Sequence, residues 1–115
     1  MEISKNILKI LRKKKIDFFV GVPDSVLKNF SNVLSKLSNK KHIIGANEGG
    51  AVSLAAGYHL ATKKIPLVYL QNSGLGNTIN PITSIIHKEI YGIPMILFIG
   101  WRGAFNNKDE IQHKV

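Results

Sequence analysis

The chain has 115 residues, a net charge of +9 and a hydrophobic content of 44%, which suits one modest globular domain rather than a disordered protein. It contains no cysteine, which excludes disulfides and cysteine-ligated metals. No stretch is apolar for long enough to span a bilayer, and the charges near the start follow the apolar residues, the reverse of a secretory signal peptide. We predict a cytoplasmic protein without a membrane partner.

The positive charge lies in short clusters at residues 12–15, 40–41 and 63–64. Each cluster falls where a predicted helix ends or a connection begins, so the cations complement helix dipoles and stay hydrated. A basic patch can also bind nucleic acid. However, the clusters are not interleaved with aromatic residues, and no nucleic-acid-binding motif accompanies them. We predict no nucleic-acid partner.

The hydrophobic period alternates between helix and strand along the chain. Apolar residues at helical spacing predict a helix over residues 4–14, and the short apolar run at 17–22 predicts a strand. Asp24 or Ser25 is placed to cap a second helix, whose apolar face extends to residue 37. The remaining predicted elements are a strand at 42–46, a helix at 49–62, a strand at 66–71, a glycine-bearing loop at 72–77, a helix at 78–87 and a strand at 93–100.

This alternation predicts an α/β fold, a parallel sheet with helices on both faces. The final stretch, residues 102–115, is polar and has no clear period. We therefore interpret residues 1–115 as one domain that is incomplete at its C-terminus.

Parallel sheets bind ligands at the carboxyl ends of their strands. Each of the four predicted strands is followed by a segment that combines glycine with polar or charged residues, at 21–25, 47–50, 72–77 and 100–103. Four such segments on one edge predict a functional site.

Glu48 is the leading candidate in that site. It follows the second strand, precedes an alanine-rich helix and adjoins two glycines, which let a planar ligand approach the backbone. A carboxylate in this place suits acid–base chemistry. The alternative is an acid in the first helical turn, favoured only by the helix dipole.

The Gly74-Leu-Gly76 segment matches no common phosphate-binding motif. No Gly-Lys-Ser/Thr follows it, and Ile79 occupies the place of the third glycine in a dinucleotide fingerprint. A tight strand-to-helix turn explains these glycines equally well, while the amides of Asn72 and Asn77 can orient a ligand or cap the helix. No pair of residues has zinc-like spacing, so we predict no metal site in this chain.

Five segments together point to a known family. They are Gly-Val-Pro-Asp-Ser at 21–25, Ala-Asn-Glu-Gly-Gly-Ala at 46–51, Ala-Ala-Gly-Tyr-His-Leu-Ala-Thr at 55–62, Tyr-Leu-Gln-Asn-Ser-Gly-Leu-Gly-Asn at 69–77 and Ile-Gly-Trp-Arg-Gly at 99–103. These segments closely resemble phosphonopyruvate decarboxylases and, less closely, the alpha subunits of sulfopyruvate decarboxylases, which are thiamine-diphosphate-dependent. The last two segments are the specific ones, and the resemblance covers most of the chain.

The resemblance implies that the chain is the pyrimidine-binding domain of a 2-oxo acid decarboxylase. Glu48 would hydrogen-bond the pyrimidine ring of thiamine diphosphate and exchange a proton with it. The segment after the third strand would contribute further cofactor contacts, from Asn72, Gly74, Leu75, Gly76 and Asn77.

The resemblance also implies substrate contacts. Asp24 and Ser25 would lie at the substrate end of the site, and His113 occupies a position like that of a proton-shuttling histidine. From its sequence context alone, His113 would be solvated in a polar run. Arg102 is the candidate for the anionic end of the substrate, because a guanidinium can bind such a group through two parallel hydrogen bonds. The alternative is a surface arginine that pairs with Glu110.

Two departures from the family bear on function. The family's companion domain carries a Gly-Asp-Gly segment and a downstream asparagine that hold Mg²⁺ and the diphosphate, and this chain has no such segment. Ile111 stands where phosphonopyruvate decarboxylases are expected to have proline. We therefore expect half of an active site, which needs a diphosphate-binding domain or subunit in a homo- or hetero-oligomer.

The predicted reaction converts 3-phosphonopyruvate to phosphonoacetaldehyde and CO₂, a step of phosphonate biosynthesis. Two alternatives remain open at this point. The chain can be a sulfopyruvate decarboxylase alpha subunit, or a non-catalytic basic α/β domain that binds a nucleotide or a protein.

Overall fold

The structure, a computed structural model, describes residues 1–105 and 108–115. Four parallel strands form one sheet in the order β2-β1-β3-β4: β1 (Phe19–Gly21), β2 (His42–Ile44), β3 (Leu67–Gln71) and β4 (Ile96–Gly100). The helices are α1 (Glu2–Lys13), α2 (Lys28–Leu34), α3 (Glu48–Thr62) and the short α4 (Ile79–Pro81). A 3-10 helix (Asn72–Thr78) precedes α4, a π-helix (Ile82–Ile86) follows it, and a 3-10 turn (Ile111–His113) lies near the end.

The sheet has a hydrophobic core on each face, because successive residues of a strand point to opposite sides. The first core joins α1 and α2 to the sheet through Leu8, Phe30, Val33, Leu34, Phe19, Leu67 and Tyr69. The second joins α3 through Ala51, Val52, Ala55, Val20, Val68 and Leu70. The predicted parallel sheet with helices on both faces is confirmed. The strands are shorter than predicted, and residues 106 and 107 of the predicted polar stretch lie outside the described residues.

The second helix is also shorter than predicted. The sequence places it from Asp24 or Ser25 to residue 37, whereas α2 begins at Lys28 and ends at Leu34. Asp24 forms a turn ahead of the helix instead, because its Oδ1 accepts hydrogen bonds from the backbone N–H groups of Val26 and Leu27 at 2.6 and 2.9 Å. Aspartate favours such local turns over helix interiors.

The predicted loop at 72–77 is wrong in type, whereas the predicted helix at 78–87 is present from Ile79 to Ile86 but irregular. The loop is a 3-10 helix, and the following segment is split between α4 and a π-helix. Pro81 has no N–H to donate, and the Thr83 hydroxyl donates to the backbone carbonyls of Ile79 and Asn80 at 2.9 and 3.1 Å. Such hydroxyl bonds distort a helix, so the regular i→i−4 pattern is not maintained.

Part of the basic surface has a structural role. Asp17, just before β1, contacts Arg12 Nε at 2.9 Å and Lys41 Nζ at 2.5 Å. These ion pairs join the end of α1 and the start of β2 to the start of β1. No helix of the described residues is long and apolar enough to cross a membrane.

Tyr69 of β3 and His42 of β2 make a polar contact within the first core. The Tyr69 hydroxyl lies 2.9 Å from His42 Nε2, and the Tyr69 side chain is fully buried. Burial, with the nearby charge of Asp24, raises the pKa of Tyr69 to about 12. Burial also lowers the pKa of His42. At neutral pH a protonated phenol therefore faces a neutral imidazole, and the hydroxyl and Nε2 share one hydrogen bond.

We predict that His42 makes the folded state less stable in mild acid. Its pKa is lower in the folded than in the unfolded chain, where it is about 6.5. As the pH falls below that value, the unfolded chain takes up a proton more readily, so the free energy of unfolding decreases until the folded pKa is reached. Urea unfolding across this window would measure the slope. His42→Gln should flatten it, and an unchanged slope in that variant would contradict the prediction.

Candidate functional site

A cleft of about 390 Å³ opens at the carboxyl ends of β1, β2 and β3. The segments that follow these three strands converge on it, at the sheet edge where the sequence placed a candidate site. The fourth predicted segment, after β4, contributes no residue to the lining. Its lining residues are Val22, Pro23, Asp24, Glu48, Gln71, Ser73, Gly74 and Asn77. The segment after β4 borders Asp24 from the side, since a Cβ at Gly100 would lie 3.2 Å from Asp24 Oδ2.

Glu48 is the first residue of α3 and projects its carboxylate into this cleft. Asn47 caps the helix through a 2.7 Å hydrogen bond from the Gly50 N–H to its Oδ1, which satisfies a free amide of the first turn. Asn77 Nδ2 donates to Glu48 Oε2 at 2.8 Å. Glu48 is thus both an acid in the first turn of a helix and a residue of the cleft. The two interpretations from the sequence, a site carboxylate and a first-turn acid, are therefore compatible in position.

Gly74 leaves the space that the Glu48 carboxyl group occupies. A Cβ at Gly74 would overlap Glu48 Oε1 and lie 2.7 Å from Glu48 Cδ, closer than real Cβ atoms approach. Gly49, the residue after Glu48, also allows a close approach, since a Cβ there would lie 2.7 Å from the Asn77 carbonyl oxygen. The start of α3 and the 3-10 helix can therefore pack closely enough for Asn77 to reach Glu48.

Asp24 places the second carboxylate in the cleft. Its Oδ1 is held by two backbone N–H groups, whereas its Oδ2 is buried without a hydrogen-bond partner among the described residues. Ser25, the neighbouring predicted substrate residue, is exposed and is not among the lining residues.

Gln71 and Ser73 line the cleft but were missed in the sequence. The Gln71 amide donates to the Ser73 hydroxyl. Gln71 is the last residue of β3, and its place at a strand end was the signal that could have identified it.

Three residues of the predicted cofactor loop lie outside the cleft lining. Asn72 is buried, and its amide donates to the carbonyls of His113 and Val115 at 2.9 and 2.7 Å. Leu75 lines an apolar groove on another side. Gly76 is exposed, and a Cβ there would meet no atom within 4 Å. Of that predicted set the cleft contains Glu48, Gly74 and Asn77.

Arg102, Asp109 and His113 form a separate cluster beside the cleft. Arg102 Nε lies 3.2 Å from Asp109 Oδ2, and its Nη2 donates to Asp109 Oδ1 at 3.3 Å. The alternative expectation that Arg102 pairs with Glu110 is therefore wrong, because Arg102 pairs with Asp109 instead. The expectation of a solvated His113 is also wrong, since this residue is 7% exposed and its Nδ1 contacts Asp109 Oδ1 at 2.6 Å.

The electrostatics of this cluster favour an ionised Asp109. The hydrogen bond from His113 lowers the pKa of Asp109, with further contributions from the Glu110 N–H and the nearby Arg102 guanidinium. A carboxylate that accepts several hydrogen bonds favours its charged form. Within residues 1–105 and 108–115, no three histidine or acidic residues are grouped so that they could hold a metal ion.

Relatives of known activity match most of this chain. The chain is 33% identical over 97% of its length to the sulfopyruvate decarboxylase subunit alpha of Methanococcus maripaludis, of which it spans 65%. It is 38% identical over 81% of its length to the phosphonopyruvate decarboxylase of Streptomyces viridochromogenes, of which it spans 23%. The chain therefore covers less than two thirds of the length of either relative.

Solved structures of thiamine diphosphate-dependent enzymes match the fold of this chain. The thiamine diphosphate-dependent 4-hydroxybenzoylformate decarboxylase of Rhodococcus jostii superposes with a TM-score of 0.68 and 27% identity, over 85% of this chain and 18% of that one. The model of the thiamine pyrophosphate enzyme N-terminal TPP binding domain matches residues 1–114. Together with the cleft around Glu48, these matches show that the chain belongs to the family of N-terminal TPP (thiamine diphosphate) binding domains of thiamine pyrophosphate enzymes.

Proposed function

We propose that this chain is the pyrimidine-binding half of a thiamine-diphosphate-dependent 2-oxo acid decarboxylase. The observation that carries the proposal is the Glu48 carboxylate, held in a polar cleft at the strand ends by Asn77. The substrate is 3-phosphonopyruvate or sulfopyruvate, since relatives acting on each match the chain to a similar degree. Both are small 2-oxo acids with a second anionic group.

The residues of the cleft fit the pyrimidine ring of the cofactor. An ionised carboxylate has about four lone-pair sites, and the Asn77 amide uses one of those on Glu48. Gln71, Ser73 and Asn77 add amide and hydroxyl groups that can pair with ring nitrogens and an amino group. Bound thiamine diphosphate would supply the electron sink for the loss of CO₂.

Glu48 is proposed as the proton-exchanging residue of this site. Its carboxylate would hydrogen-bond a pyrimidine nitrogen and trade a proton with it, while Asn77 fixes the orientation of the carboxyl group. Asp24, whose Oδ2 is buried without a partner among the described residues, is proposed as the carboxylate at the substrate end. Two carboxylates in one cleft can serve as an acid and a base in proton transfer.

Arg102 and His113, beside the cleft, would act on the anionic substrate. Arg102 is proposed to bind its phosphonate or sulfonate, for which the guanidinium must exchange part of its contact with Asp109. His113 is proposed as a proton donor or acceptor at the same end. The diphosphate and Mg²⁺ are proposed to bind a companion domain or subunit, in keeping with a relative that is itself one subunit of a decarboxylase.

A direct assay tests the proposal. The protein, combined with a diphosphate-binding partner, thiamine diphosphate and Mg²⁺, should release CO₂ from 3-phosphonopyruvate or sulfopyruvate faster than from pyruvate. Without the partner, calorimetric titration should show weak cofactor binding, because the diphosphate makes most of the charged contacts. Submicromolar binding by this chain alone would contradict the division of the site between two domains. Tight binding of a nucleotide without any decarboxylation would favour the non-catalytic alternative.

A further inference from the structure

The cluster beside the cleft leaves only one protonation pattern for His113. Its Nδ1 lies 2.6 Å from Asp109 Oδ1, and its Nε2 lies 3.3 Å from Arg102 Nη1. Arginine can donate hydrogen bonds but cannot accept them, whereas an ionised carboxylate can only accept. Both contacts are hydrogen bonds only if the proton is on Nδ1 and Nε2 is the acceptor.

The other two forms of the ring conflict with these neighbours. A proton on Nε2 alone would point at the Arg102 guanidinium and leave the lone pair of Nδ1 against the Asp109 carboxylate. A doubly protonated ring would keep the bond to Asp109 but place its second N–H against the Arg102 guanidinium. Because His113 is 7% exposed, little water is available to separate these groups.

We propose that Asp109 is a positioning residue that fixes the tautomer of His113, with the proton on Nδ1 and the lone pair on Nε2. This inference rests on the proton-transfer role of His113 proposed above. Asp109 acts through His113 in the way that a buried aspartate holds a catalytic imidazole in its correct tautomer in other enzymes. It also holds Arg102, so one carboxylate orients both residues that are proposed to act at the anionic end of the substrate.

The backbone around the cluster fixes His113 relative to the cleft. Asn72 donates to the His113 carbonyl at 2.9 Å and accepts a long contact of 3.4 Å from the Arg102 N–H. The Gly103 N–H also donates to the His113 carbonyl, at 2.6 Å. Since Asn72 lies between the cleft residues Gln71 and Ser73, the backbone of His113 is held directly against the end of β3. An imidazole in this place keeps its orientation only if its ring nitrogens are also restrained.

NMR of histidine-ring ¹⁵N labels in the full-length protein tests the proposal without cofactor or substrate. In spectra recorded at alkaline pH, the tautomer can be read from the two nitrogen shifts, which differ between a protonated and an unprotonated ring nitrogen. We expect His113 to carry its proton on Nδ1. A proton on Nε2 in the unsubstituted protein would overturn the proposal, whatever its variants do.

Asp109→Asn provides the second comparison. The amide can donate to Nδ1, and it cannot form the ion pair that holds Arg102 beside Nε2. The proton of His113 should therefore move in large part to Nε2, as the same substitution causes in a Ser-His-Asp triad. Glu110→Gln is the matched control, because it removes the neighbouring exposed carboxylate and should leave the tautomer unchanged. The proposal fails if Asp109→Asn retains the Nδ1 proton, or if both variants shift it equally. These outcomes do not depend on decarboxylation, so they are distinguishable from a failure of the proposed function.

Discussion

Glu48→Gln should nearly abolish turnover in the enzyme assembled from this chain and a diphosphate-binding partner, while cofactor binding is largely retained. Glutamine keeps the size of the side chain and can still hydrogen-bond Asn77 and a ring nitrogen. It cannot take up or release the proton that the proposed mechanism requires. Acid–base contributions of this kind are worth about 10²–10⁴ in rate, which corresponds to about 3–5 kcal/mol of activation free energy.

The stability of the variant should change little. Glu48 is the first residue of α3, and the helix is capped by Asn47 rather than by Glu48. The substitution removes no apolar burial. Only the favourable interaction of an anion with the helix N-terminus is lost, which is worth about 0.3–1 kcal/mol at an exposed site.

Exchange of the cofactor's C2 proton, followed by NMR, would measure the step that depends on Glu48. Glu89→Gln is a suitable control, because Glu89 is an exposed acid outside the cleft. It should leave both exchange and turnover unchanged. If Glu48→Gln exchanged the proton at the rate of the unsubstituted protein, Glu48 would be only a first-turn acid, and the proposed catalytic role would be wrong.

The centre of the site could be predicted because it depends on local sequence. Asn47 and Glu48 stand between a strand and a helix, and both the cap and the direction of the carboxylate follow from that position. Asp24 was identified for the same reason, although its sequence context predicted a capping role in a longer helix. Only the hydrogen bonds that its carboxylate accepts from the Val26 and Leu27 N–H groups show the turn that precedes α2.

The cluster of Arg102, Asp109 and His113 could not be predicted because it depends on contacts between distant segments. Asn72 binds carbonyls 41 and 43 residues further along the chain, and no periodicity reports such a contact. In sequence, His113 lies in a polar run, yet the Asn72 amide and the Gly103 N–H bind its backbone and leave it buried. The pairing of Arg102 with Asp109 rather than Glu110 follows from the same placement.

Gly74→Ala should reduce turnover through its effect on Glu48. The new Cβ would lie where the Glu48 carboxyl group now is, 2.7 Å from its Cδ. Gly74 has no left-handed backbone conformation, so alanine is compatible with its φ angle and the effect is one of space alone. Either Glu48 rotates away from Asn77 or the 3-10 helix moves away from α3. A misplacement of about 1 Å can cost about 10²-fold in rate.

Gly57→Ala is the matched control for this change. It adds the same methyl group to α3, the helix that begins with Glu48, but the new Cβ meets no atom within 4 Å. Alanine in place of glycine within a helix should stabilise it by roughly 0.5–1 kcal/mol, so folding is not impaired. We expect turnover close to that of the unsubstituted enzyme.

The double variant Gly74→Ala/Glu48→Gln separates displacement of Glu48 from general damage to the cleft. If Gly74→Ala acts only by displacing the carboxylate, it should cost little further activity once that carboxylate is absent, because changes that act on one catalytic group are not additive. Steady-state rates of the two single variants and the double variant complete the cycle. Additive losses would show that Gly74 acts independently of Glu48, for example through the position of Ser73 or Asn77, and would contradict the idea that the missing Cβ at Gly74 makes room for the Glu48 carboxylate.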